Sequence, residues 1–238
     1  MTDAALIWSY LSRDPLVWLA ATLAAYWIGD RLSLAVGRKP WANPVLIAVL
    51  LLAVLLVGTG TPYRAYFEGA QFVHFLLGPA TVSLAVPLWR NAPLLKRAAL
   101  PVLAALVAGS VTAIVVALAI AAAFGVDDVL LATVAAKSAT APVAIGVAER
   151  MGGEPTLAAV LVLITGLIGA LVATPLLNAL RITDWRARGL SIGVAAHGLG
   201  TARAFQVNPT AGTFAGLGMG LNAILTALIS PWLLRLFL

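Results

Sequence analysis

Apolar runs and short polar breaks alternate along the whole chain. Unbroken runs cover 16–36, 44–58, 98–124, 156–180 and 211–237, most of them near or above the roughly 20 residues a helix needs to cross the hydrocarbon core. None keeps the strict alternation of a lipid-facing barrel strand. The pattern therefore predicts an all-α, polytopic membrane bundle, one integral membrane domain spanning 1–238. Three further apolar segments are interrupted: 73–89 by Gly78, Pro79 and Pro87, 129–148 by Pro142, and 190–205 by Gly198. The count is about seven to eight hydrophobic segments, three of them broken or re-entrant. Between the second and third segments, "TPYRAYFEGAQF" is polar and aromatic enough to lie at the interface, with Tyr63 and Tyr66 at headgroup level.

Composition agrees. Of 238 residues, 62% are hydrophobic and 10% charged, and the mean hydropathy is +1.02, outside the range of soluble domains. With no cysteine in the chain, disulfides, thiolate metal sites and cysteine nucleophiles are excluded. The net charge of +6 is carried by short loops beside apolar runs, the positive-inside pattern rather than a nucleic-acid surface. The start, "MTDAALIWSY", lacks a basic n-region and does not read as a cleaved signal peptide.

Charge also bears on topology. Arg31, Arg38 and Lys39, then Arg90, Lys96 and Arg97, then Arg181, Arg186 and Arg188 are all expected on the cytoplasmic side. The turn at Asp127 and Asp128 then faces outward. Two complete crossings between that turn and Arg181 would return the loop to the outside, so one segment there is re-entrant. The broken one at 129–148 is the better candidate, because non-helical backbone at depth must be buried in protein or line a cavity.

The breaks are where chemistry gathers. Proline has no N–H for the carbonyl four residues earlier, so Pro87 frees the Ser83 carbonyl and Pro142 that of Ser138. A single proline of this kind is more often a tolerated kink. Paired interrupted segments, however, point to a transporter site at mid-membrane, where half-helix ends meet substrate and ions. Lys137 lies beside the break; an ammonium at depth costs at least roughly 2.5 to 3.5 kcal/mol, so it requires a partner, a wet cavity or a route to snorkel. His197, flanked by Gly198, is a candidate proton-coupling group, with a helix-tying hydrogen bond as the alternative. Thr201 shares its face if the helix continues, and Arg203 offers a fork for a carboxylate. Candidate anion contacts are thus Lys137, Ser138, Thr140, His197, Thr201 and Arg203, joined by Thr81 and Ser83. His74 and Glu149 fit interfacial or solvated roles, and Asn222 an interhelical hydrogen bond. No cofactor is indicated. Two isolated histidines argue against a metal site, and the absence of a nucleophile elbow or Walker loop argues against a hydrolase or ATP-driven pump.

Three long stretches carry a family resemblance: "FLLGPATVSLAVPLWRNAPLLKR", "KSATAPVAIGVAERMGGEPTLAAVLVLITGLIGA" and "ARGLSIGVAAHGLGTARAF". In order and spacing, over nearly the whole chain, these resemble the LrgB/CidB family. The resemblance implies a multi-pass protein of the bacterial cytoplasmic membrane. It implies either modulation of murein hydrolases and autolysis beside a small holin-like LrgA/CidA membrane protein, or carriage of small carboxylates. A chloroplast protein similar to the two joined end to end translocates glycolate and glycerate, and bacterial relatives are linked to pyruvate uptake. A small monocarboxylate anion, an LrgA/CidA-like partner and a homo-oligomer are the expected associations.

Overall fold

The structure is a computed structural model that describes residues 14–39, 41–76, 79, 82, 89 and 92–238. It divides into two compact units, Met1–Ala85 and Val86–Leu238. The described residues are helical with short turns.

In the first unit, α1 (Pro15–Ala35), α2 (Pro44–Thr59) and α3 (Tyr63–Phe75) follow one another. Each of the first two starts on a side-chain cap followed by proline: Asp14 accepts from the Leu16 N–H, and Asn43 from those of Val45 and Leu46. Such caps satisfy donors that a helix start leaves open. The stretch expected at the interface forms α3, whose Tyr66 meets the fully buried Trp18 of α1 edge-on at 5.9 Å.

The second unit contains α4 (Ala92–Arg97), α5 (Ala99–Ala123), α6 (Asp128–Ala135), α7 (Ala141–Arg150), α8 (Pro155–Ala179), α9 (Trp185–Val207) and α10 (Pro209–Leu234). Of these, α5, α8 and α10 have 25, 25 and 26 residues and are apolar enough to cross a membrane. At 1.5 Å per residue each is about 38 Å long, more than the hydrocarbon thickness.

The remaining segments turn back. The polypeptide leaves α5 at a turn, and Asp127 caps α6 through the Leu130 N–H. Helix then stops at Ala136 and resumes at Ala141. After α7 the chain is back beside α6: the Glu154 N–H donates to Thr133 Oγ1 at 2.8 Å, and Met151 packs against the buried cluster that includes Leu131, Ala132 and Ala135. Both ends of the α6–α7 pair therefore lie at one end of the unit, where Asp127, Asp128, Glu149 and Glu154 collect.

Within α9 the two legs follow one another without a gap, but the chain folds at His197, whose φ of 37° and ψ of −129° are not helical. A Cβ on Gly200 would lie 3.0 Å from the Ile192 carbonyl oxygen, whereas eight residues of straight helix span about 12 Å. The legs 185–196 and 198–207 are thus a second hairpin. Gly189 at its start abuts Ala211, and Phe205 near its end abuts Gly212, so both feet stand at the beginning of α10. That is the opposite end from the first hairpin, because Leu234, at the far end of α10, packs with Leu131 and Ala132.

This arrangement reconciles the charge pattern with the crossings. Arg97, Asp184 and Arg186 line one cavity, so the loops before α5 and after α8 share an end, as basic loops on one side require. The five segments read span, hairpin, span, hairpin, span.

Close packing of the second hairpin depends on glycine. A Cβ on Gly189 or Gly193 would collide with the carbonyl of Ala211 or Ala215 of α10, and backbone cannot yield as a flexible side chain does. Gly193→Ala is expected to lower unfolding stability in detergent by about 1–3 kcal/mol. Gly146→Ala, with nothing within 4 Å of the new carbon, should be neutral or gain about 0.5–1 kcal/mol from helix propensity. Thermal melts of both variants check this; equal effects would contradict the packing.

Candidate functional site

Both hairpin tips come to the middle of the three spans. Ser110 and Asn222, half-way along α5 and α10, and Gly166, half-way along α8, are their neighbours.

The break in the first hairpin follows from Pro142, which cannot donate to the Ser138 carbonyl. That carbonyl instead accepts from Asn222 Nδ2 at 2.7 Å. The fold at His197 likewise takes the Gly198 N–H away from helical register with the Val194 carbonyl, and this oxygen accepts from the same Nδ2 at 3.2 Å. Asn222 Oδ1 receives Ser110 Oγ at 2.6 Å and Thr226 Oγ1 at 3.5 Å. One amide, 1% exposed, thus uses its donors on the two tips and its acceptor on two spans.

Lys137 sits at the first tip, half-buried, with Nζ 3.2 Å from its neighbour's hydroxyl, Ser138 Oγ. Among the described residues the ion pairs are Arg38 with Asp30 and Arg186 with Asp184; Lys137 has no carboxylate partner. Thr140 is the residue before α7, and its side chain makes no capping bond. The first-turn N–H groups of α7 therefore face the tip without an intrahelical acceptor. The return leg of the second hairpin also begins at its tip, so two half-helices direct the positive ends of their dipoles toward this region.

His197 forms the second tip and is buried. Its ring lies on the bare backbone of Gly166, where an added Cβ would come within 2.6 Å of Cε1. The Val162 backbone and the Lys137 ammonium are its electrostatic neighbours, and Nε2 has no hydrogen-bond partner among the described residues. The backbone angles match the first central position of a type II′ turn, normally a glycine position. The residue outside helical geometry is therefore His197 itself, and Gly198 opens the return leg.

Lys137, Ser138, Thr140 and His197 are accordingly brought together by the two tips. Because the helix does not continue, Thr201 does not share the His197 face; it lies on the return leg with its hydroxyl toward Met219 Sδ at 3.9 Å. Arg203 is farther along that leg and donates to Gln206 Oε1 at 3.3 Å. Thr81, Ser83 and Pro87 lie outside the described residues, and Pro79 is exposed in a helical turn.

A cavity of about 750 Å³ runs between α5 and the first leg of α9. Arg97, Asp184 and Arg186 stand at one end, and Gly109, Val194 and Ala195 at the other, two residues short of His197. Asp184 also caps α9 through the Arg186 N–H. Hydrogen bonding from the Arg186 side chain holds its carboxyl down to about 2, so this charge is present at neutral pH and its contribution fades only as pH falls through about 2.

A family model described as LrgB-like matches residues 22–236. The chain belongs to the LrgB-like family. A holin-like protein CidB of Staphylococcus aureus is 31% identical over 222 residues, covering 93% of this chain and 96% of the relative. One of Staphylococcus epidermidis is 30% identical over 91% and 94%. An uncharacterized protein, YwbG, of Bacillus subtilis is 34% identical over 82% and 87%. No solved structure matches. With its three long apolar helices, this LrgB-like chain is a multi-pass bacterial membrane protein.

One signal in the LrgB-like sequence would have paired the tips directly. Val134-Ala135-Ala136-Lys137 and Val194-Ala195-Ala196-His197 carry the same three residues before the titratable one. Each stands in a hairpin opened by an aspartate cap after a 25-residue span.

A non-glycine residue at the His197 angles costs roughly 1–3 kcal/mol. His197→Gly is therefore expected to unfold at higher temperature than His197→Ala in the same detergent. Equal melting temperatures would show that the tip is not strained.

Proposed function

We propose that this LrgB-like protein carries small monocarboxylates of the glycolate, glycerate and pyruvate type across the membrane in exchange for, or together with, protons. The observation that carries the reading is Lys137: an ammonium half-way along the spans with no acidic partner among the described residues. A charge kept there without a counter-charge calls for a mobile one. The two half-helix N-termini at the tips favour an anion in the same place, as in carriers built on discontinuous helices.

In this reading Lys137 and the first turn of α7 bind the carboxylate, while Ser138 and Thr140 offer hydroxyls to it or to an α-hydroxyl group. Buried His197 takes up or releases the coupling proton, since imidazole is the side chain whose ordinary titration falls near neutral pH. The cavity beside α5 is the solute's way in from the basic end, where Arg97 and Arg186 raise the local concentration of anions. Thr201 and Arg203, lower on the return leg, contact the solute only in passage.

The name of the staphylococcal relatives, holin-like protein CidB, favours a second reading. There the chain acts with an LrgA/CidA-like partner, as an oligomer, to influence cell-wall hydrolases. The two readings separate on selectivity. A carrier moves a monocarboxylate and responds to a pH gradient, whereas a holin-like lesion passes small neutral solutes as readily.

The test is uptake of labelled glycolate, glycerate and pyruvate, with glycerol as neutral control, into liposomes holding the purified chain with or without an LrgA-like partner. Saturable uptake of at least one acid, without glycerol leakage, is expected. Lys137→Ala should reduce it at least about tenfold, the scale of one lost charge-assisted contact. His197→Ala should abolish its response to a pH gradient. No uptake under either condition, or equal passage of glycerol, overturns the carrier reading.

A further inference from the structure

We infer that Asn222 is the positioning residue that latches both hairpin tips closed, so that opening either one toward its own side requires breaking one arm of its amide. The inference rests on the reading above only in taking the tips as the site.

An asparagine amide has two N–H donors and one carbonyl acceptor with two lone pairs. In Asn222 both donors go to backbone oxygens that the two breaks release, Ser138 at 2.7 Å in the first hairpin and Val194 at 3.2 Å in the second. The acceptor is held by Ser110 Oγ at 2.6 Å from α5 and by Thr226 Oγ1 at 3.5 Å one turn along α10. Its capacity is filled, it is buried, and its contacts reach both hairpins and two spans. A residue needed only to tie α10 to one neighbour would leave part of that capacity unused.

Orientation is the second part of the argument. Ser110 is itself fully buried, and its hydroxyl fixes the amide oxygen toward α5, which turns Nδ2 toward the tips. With the hairpins footed at opposite ends of the unit, the arms restrain movements toward opposite sides of the membrane. When one carbonyl leaves, the other arm stays, so the hairpins open in alternation rather than together. The unequal lengths, 2.7 and 3.2 Å, make the arm to the second hairpin the weaker one. The large cavity lies beside that hairpin's first leg.

The experiment uses the full chain, which has no native cysteine, in liposomes without added solute. Single cysteines replace Ala139 at the first tip and Ala196 at the second, both about 1% exposed, with Ala158→Cys on α8, also buried, as a site remote from the latch. The probe is a membrane-impermeant charged maleimide applied to either side. With Asn222 present, labelling should be slow and one-sided at each tip, from the acidic end at Ala139→Cys and from the basic end at Ala196→Cys. Asn222→Ala should raise both rates about tenfold or more and leave Ala158→Cys unchanged, the scale expected when buried hydrogen bonds are lost. Ser110→Ala, which keeps the amide but not the hydroxyl that orients it, should raise both about threefold.

Unchanged rates at both tips in Asn222→Ala overturn the latch, as does an equal rise at Ala158→Cys, which would mark general loosening. If Asn222→Ala does not fold, Ser110→Ala alone decides, a rise at both tips supporting the latch and no rise overturning it. Absence of monocarboxylate uptake with these labelling patterns intact would remove the carrier reading and leave the latch standing.

Discussion

A backbone carbonyl released half-way along a membrane-spanning bundle has no water to bond and must find a donor. Everything distinctive in the second unit answers that constraint twice. Pro142 releases Ser138, the turn at His197 releases Val194, and the amide of Asn222 meets both. The breaks are tolerated because this donor exists, and the donor is oriented because Ser110 holds its other end.

From that pair of bonds the rest follows in order. Once helix is interrupted at depth, two half-helix N-termini lie where continuous spans would show only side chains, and they create a region favourable to anions. Lys137 strengthens it and His197 gives it a titratable wall. Close approach of backbone at Gly189 and Gly193 lets the second hairpin lie against α10, and the bare Gly166 leaves room for the imidazole. Strain at His197 and an ammonium with no carboxylate partner among the described residues both cost stability. Such costs concentrate where a protein acts rather than where it merely packs.

Much of this was legible in the sequence, for identifiable reasons. Hydropathy alone placed α5, α8 and α10 to within a few residues, because nothing but length and apolar content decides a span. The hairpin at 129–148 was legible by combining Pro142 with the count of basic loops, two independent constraints. The fold at His197 was half legible: the flanking glycine announced a break, but only the backbone shows that the chain reverses there, which separates Thr201 and Arg203 from the imidazole. Least legible was Asn222. A lone asparagine in an apolar run says that a hydrogen bond exists, not that its partners are carbonyls 84 and 28 residues away. The family was legible from three long motifs, whereas what the tips would hold was not, since helix ends and one lysine carry no mark that tells one anion from another.

The central claim is that the two hairpins enter from opposite sides and stop half-way. Side-selective labelling of single cysteines at the exposed Phe124, Arg150, Thr183 and Gln206 tests it most directly. The account predicts that cysteines at 124 and 150 react with impermeant reagent from one side and those at 183 and 206 from the other. Reaction of 124 and 150 from opposite sides, or of 183 and 206 from opposite sides, would make that segment a crossing helix and contradict it.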